Sequence, residues 1–157
     1  MRRILPYALA LACVTATPLA AQLQLGVGPT FPAGDFSSGA ETGWMAMVGF
    51  TPFALGPIKI RIEGDYGEND ATGTTGKVKL YGGMASGTFP LGPLYLIGSA
   101  GYFNAELTTE DWQFVWGGGA GIGFGLGGLG LFAEARYLSR DNVNFVPIMV
   151  GIKLGGK

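Results

Sequence analysis

The residues able to do chemistry in this chain are few, and they are sorted. Lys59, Arg61, Glu63 and Asp65 stand at every second position, alternating with Ile58, Ile60, Ile62, Gly64 and Tyr66. Glu134 and Arg136 alternate in the same way with Ala133, Ala135 and Tyr137, and Lys77, Lys79 and Lys153 complete the set. Ionised groups gathered on one face of an extended chain must pair with one another or keep water, because an uncompensated buried charge is expensive. The chain has no histidine, which removes the commonest general base and the commonest imidazole metal ligand. Nucleophile–histidine triads fall with it. The lone cysteine, Cys13, excludes an internal disulfide or a thiolate cluster. Gly123-x-Gly125-x-x-Gly128 matches a dinucleotide fingerprint by letter, but no helix or βαβ pattern follows it. The acids Asp35, Glu41, Glu68, Asp70, Glu106, Glu110, Asp111 and Asp141 lack calcium-loop spacing and read as solvated loop charge. No metal and no cofactor is expected.

The elements that hold these residues follow from an unusual composition. The chain has 157 residues, 29 of them Gly, with 48% hydrophobic and only 13% charged residues, yet 10 Phe, 6 Tyr and 3 Trp. Such a chain is neither disordered nor collagen-like, and its length suits one domain. A net charge of −1 gives no footprint for nucleic acid. Residues 1–21 read as a signal peptide: Arg2 and Arg3, an apolar stretch from Ile4 to Val14, then small residues up to Ala21. Cleavage there leaves a domain of residues 22–157 without cysteine. Without Arg2 and Arg3 the ten Lys and Arg become eight against eleven acids, a net charge of −3.

Two uncharged runs, Leu80–Ala105 and Trp112–Ala133, are 26 and 22 residues long, enough to cross a bilayer as helices. The second holds nine glycines, which inside a helix cost about 1 kcal/mol each relative to Ala. Strands are favoured instead. Both runs break at Pro/Gly punctuation, and the expected strands are 22–31, 43–52, 57–66, 76–89, 93–104, 112–126, 129–139 and 144–154. The connections alternate between short uncharged turns and polar loops that carry the acids, with Arg140 the one cation among them. An even number of strands places all turns at one end and all acidic loops at the other. The expected fold class is all-β: an eight-stranded antiparallel up-and-down transmembrane β-barrel, of the kind found in the outer membrane.

Alternation alone leaves open whether the apolar face lines a ligand cavity or meets lipid. The uncharged runs favour lipid, since a water-facing strand would carry Lys and Glu on one side. The charged residues then fall in the lumen as one network of Lys59, Arg61, Glu63, Asp65, Lys77, Lys79, Glu134, Arg136 and Lys153. The glycines at 117, 119, 121, 123 and 125 share a face and are expected there too, making room for long side chains. Trp44, Tyr66, Trp112, Phe114 and Tyr137 lie near the loop ends of their strands, and Phe50, Phe89, Tyr95 and Phe124 near the turn ends. Two aromatic girdles at the two bilayer interfaces are expected.

Leu25-Gly-Val-Gly-Pro-Thr-Phe-Pro-Ala-Gly-Asp-Phe36, followed by Thr42-Gly43-Trp44, resembles the start of the outer-membrane β-barrel domain family. Phe132-Ala-Glu-Ala-Arg-Tyr137 and Phe145-Val-Pro-Ile-Met-Val-Gly-Ile-Lys153 resemble its last two strands. The family includes small OmpA-like and OmpX-like eight-stranded barrels. The resemblance implies an exported, integral outer-membrane protein without catalytic residues. One departure stands out: such barrels commonly end in an aromatic residue read by the assembly machinery, whereas this chain ends Leu154-Gly155-Gly156-Lys157.

The function expected is structural, in envelope integrity or surface interaction, with the lumen closed by its charged network. The alternatives are a narrow channel for small solutes or ions and a soluble periplasmic lipocalin-like binding barrel. Expected partners are outer-membrane lipid, lipopolysaccharide and the barrel-assembly machinery. The chain is expected to be a monomer that binds no nucleic acid.

Overall fold

The computed structural model describes residues 22–73, 76–106, 112–141 and 143–155. The expected signal segment 1–21 lies outside them. The strands run β1 Gln22–Ala33, β2 Gly43–Leu55, β3 Ile58–Asp70, β4 Lys77–Leu91, β5 Leu94–Glu106, β6 Trp112–Leu126, β7 Leu129–Arg140 and β8 Val143–Leu154. Each pairs antiparallel with its neighbour in sequence, and β1 pairs with β8 to close the barrel. Closure leaves no sheet edge, so every strand finds backbone partners on both sides. A short 3-10 helix, Gly34–Ser38, is the one helical piece among the described residues.

Three of the connections are two-residue hairpins. Gly127 and Gly128, at φ 59° and 90°, turn β6 into β7, a backbone that only glycine adopts without strain. Gly56-Pro57 and Gly92-Pro93 make the other turns at this end. At the opposite end the first polar connection folds onto the second. Ala40 bridges to Ala71, and the Glu41 amide donates to the Asp70 carbonyl at 2.7 Å.

The strands outrun the expectation at the loop end. Polar residues after Tyr66 suggest a loop from Gly67, yet β3 continues to Asp70, with Glu68 opposite Lys79 and Asp70 opposite Lys77. The change in polarity marks where lipid ends, and the hydrogen-bonded ladder continues into water. Near the turn end of β2 the register shifts between Phe50 and Phe53, next to Pro52, which has no N–H to donate. The bulge reverses the facing, so Thr51 points inward and Phe53 outward.

The outward face is apolar from Leu23, Leu25 and Val27 on β1 through Leu94 and Leu96 on β5 to Ile148 and Val150 on β8, all exposed. No charged residue among those described points outward between the aromatic girdles. A soluble protein does not leave a contiguous belt of this kind in water.

Candidate functional site in the barrel lumen

The lumen is built in layers. Nearest the turns it is open, its middle is charged, and its loop half is apolar.

The charged layer is carried by β3 and β7, which face each other across the barrel. Arg61 Nε lies 2.7 Å from Glu63 Oε2, and its two terminal nitrogens reach the Glu134 oxygens at 2.9 and 3.1 Å. Arg136 Nη2 meets Glu134 at 3.1 Å, and Arg136 Nη1 pairs with Glu63. The four side chains therefore close a ring of alternating charge, Arg61–Glu63–Arg136–Glu134. Asp65 approaches it from one side, 3.9 Å from Arg136. Neutral groups satisfy much of what remains: Tyr95 donates to Glu134 at 2.8 Å, Ser86 to Glu63 at 2.7 Å, and Arg61 to Gln24 at 2.9 Å. All four ring members are buried. Guanidinium–carboxylate pairs of this forked kind fix geometry as well as charge.

Glycine makes the space. A Cβ on Gly121 would lie 2.3 Å from Tyr95 Cζ, and one on Gly119 would lie 2.0 Å from the Ala135 carbonyl. The run of glycines on β6 thus faces inward and lets the Tyr95 ring of β5 lie over this neighbouring strand, directly across from Gly121. Gly121→Ala is expected to push the phenol away and break its bond to Glu134. Overpacking of this kind costs about 1–3 kcal/mol, read as a lowered urea midpoint in vesicles. A midpoint equal to wild type would show that the ring has another seat.

The loop half is filled by Met45, Met47, Val78, Leu80, Met84, Phe103, Val115, Leu138, Phe145 and Met149. Phe103 and Phe145 stack at a tilt, with centroids 6.0 Å apart. Charge patterning gives no sign of this layer. Alternation of polarity gives none either: Val115 and Met149 take the inward phase of strands whose outward phase is equally apolar. Above it Asn69 Nδ2 donates to the carbonyls of Thr30 and Glu41 at 3.3 and 2.8 Å.

Four expectations need correction. Lys77 and Lys79 do not join the lumen network. They are exposed on the outer face of β4, since Val78 and Leu80 take the inward phase. Past Tyr66 the strand ends stand in water, where an outward charge costs little; Lys77 pairs with Glu68 at 2.9 Å. The hydrogen bonds from Lys77 and Tyr66 hold the Glu68 carboxyl below the usual glutamate range, though an exposed pair adds little stability. Arg140 is no loop cation either, being buried in the loop-end mouth. Tyr95 is not a girdle residue. Leu94 and Leu96 face lipid, so Tyr95 between them faces in. Lys59 and Lys153 take the inward phase but stand apart from the ring, on the open turn-end layer.

The other girdle residues, Trp44, Phe50, Tyr66, Phe89, Trp112, Phe114, Phe124 and Tyr137, lie on the outer face, with Phe50 half-exposed. Phe31, Tyr81, Tyr102 and Trp116 join them. Rings on neighbouring strands meet in pairs: Trp44–Tyr66 at 5.8 Å, Tyr81–Trp112 at 5.6 Å and Tyr102–Phe114 at 5.7 Å. Of the loop acids, Asp35, Glu41, Asp70 and Asp141 are exposed. Glu110, Asp111 and the Glu106 side chain lie outside the described residues. Among those described, no three metal-ligating side chains come together.

Closed strand order, an apolar outer belt, aromatic girdles and a filled lumen define the class: an eight-stranded transmembrane β-barrel. Solved structures share the fold. Neisserial surface protein A (NspA) is 16% identical, with a TM-score of 0.61 over 85% of this chain and 96% of that one. A designed transmembrane β-barrel is 16% identical, with a TM-score of 0.56 over 88% and 98%. The Yersinia pestis outer membrane protein Ail, solved in a phospholipid bilayer nanodisc, is 12% identical, with a TM-score of 0.55 over 85% and 98%. No protein-family model and no curated protein matches the chain.

Proposed function

We propose that the protein is an integral outer-membrane barrel whose role is structural, holding a rigid wall in the envelope and presenting its polar loops at the cell surface. The observation that carries this reading is the filling of the lumen. An Arg–Glu ring closes its middle, and a layer of packed Met, Leu, Val and Phe closes its loop half. Eight strands enclose only enough space for side chains, and an apolar plug of this depth excludes water. That weighs against the channel, while the exposed apolar belt weighs against a soluble binding barrel. In this reading outer-membrane lipid and lipopolysaccharide contact the belt and the rim charges, the assembly machinery inserts the chain, and the barrel works as a monomer without catalysis.

Planar-bilayer recording of the refolded barrel tests the closure, with no stepwise conductance expected. Regular steps at neutral pH would restore the channel. Fractionation with the outer membrane, together with faster gel migration before heating than after, is expected of the inserted barrel. A freely soluble monomer would remove the reading altogether.

A further inference from the structure

The turn end of the lumen is a cavity of about 720 Å³, open to solvent on one side and floored by Arg61 and Tyr95. Its size falls in the range of small-molecule sites. Its lining is one-sided in charge: Lys59, Arg61 and Lys153, and no aspartate or glutamate. Arg61 is already matched by Glu63 and Glu134, so the two lysines carry the excess. No carboxylate among the described residues pairs with either. Lys153 is instead held over two aromatic rings, its ammonium 4.7 Å from the Tyr95 centroid and 5.3 Å from that of Phe132. Gly123 and Gly130 leave room for it: a Cβ at either would lie 3.4 Å from a Lys153 side-chain atom. Neutral donors, Gln24 and Thr51 among them, share the wall. The ring and the apolar layer close the far side, so the cavity is blind.

We propose that this vestibule binds a small, multiply charged anion through a phosphate group, with Lys59 and Lys153 as its two ammonium contacts. A blind cavity with two unmatched cations and neutral hydrogen-bond donors recognises charge without conducting it. The mouth opens where the turns meet the membrane surface, so the phosphate can come from a lipid headgroup or from a soluble metabolite. The site is independent of the structural role proposed above, because it rests on the cavity alone.

Titration calorimetry of the barrel, refolded in phosphatidylcholine vesicles at low salt, tests it with inorganic pyrophosphate as the probe. Wild type is expected to bind. Lys153→Met, which keeps the apolar stem over the rings, is expected to weaken binding about tenfold or more, as loss of a charge-assisted bond does. Lys59→Met/Lys153→Met is expected to abolish it. Lys77→Met/Lys79→Met removes the same charge from the outer face and is expected to change nothing. Unheated gel mobility checks that every variant is folded. No binding by wild type overturns the proposal, as does equal weakening by the outer-face pair. Repeating the titration with phosphatidylglycerol in the vesicles separates the sources: suppressed binding assigns the site to a headgroup, and unchanged binding to a soluble anion.

Discussion

Glu134→Gln is expected to destabilise the barrel by about 3–5 kcal/mol, the cost of breaking one side of a buried ion pair. Glu134 accepts from both terminal nitrogens of Arg61 and from Tyr95, and forms an ion pair with Arg136 at 3.1 Å. A carboxamide keeps the shape but offers one acceptor, and turns its NH2 toward guanidiniums that can only donate. The ring then holds two guanidiniums against Glu63 and Asp65, with Arg61 facing a neutral group. Urea unfolding in vesicles, followed by tryptophan fluorescence, measures the loss. Arg61→Met/Glu134→Met is expected to lose less than the sum of its single variants, because contacting residues couple. A single-variant loss below about 1 kcal/mol, within the range of an exposed pair, would show that water reaches the ring.

Much of this fold was legible because the chain alternates so strictly. From Ile58 to Tyr66 and from Ala133 to Tyr137 charged residues alternate with uncharged ones, so one stretch sets both the strand and its facing. The Pro/Gly pairs set the hairpins, and all eight strands fell within a few residues of their place. The charged ring was legible for the same reason, since Arg61, Glu63, Glu134 and Arg136 all sit on strict period-two segments.

Where the pattern failed, the solvent had changed along the strand. Lys77 and Lys79 look like lumen residues if every strand residue faces lipid or lumen, but β4 begins above the membrane. There the outward phase is wet and the inward phase, Val78 and Leu80, is dry. Tyr95 failed differently. Its nearness to a strand end suggested an interface, while the phase set by Leu94 and Leu96 pointed it inward. Phase should have decided, because it is fixed by the backbone and position along the strand is not. The apolar half of the lumen has no charge contrast to reveal it. Trp116 beside Val115, or Val150 beside Met149, reads as apolar on both faces until closure puts one of them inside.

That hidden layer carries the other large effect. Phe145→Ala is expected to cost about 3–5 kcal/mol, as large-to-small changes do in a packed core. Phe145 is fully buried and stacks on Phe103. Its neighbours are anchored to strands of a closed barrel, which cannot collapse around a void as a loose core can. The void is lined by Met, Leu and Phe, and an apolar cavity of that kind stays dry. The variant is therefore expected to lose stability without gaining conductance. Phe145→Leu, which keeps most of the volume, is expected to lose less than half as much. Urea midpoints in vesicles and bilayer recordings of the same preparations read the two effects separately. A stable Phe145→Ala barrel would mean that the loop half is loosely packed. A conducting one would mean that the methionine- and leucine-lined layer, rather than the charged ring beneath it, is what holds the barrel shut.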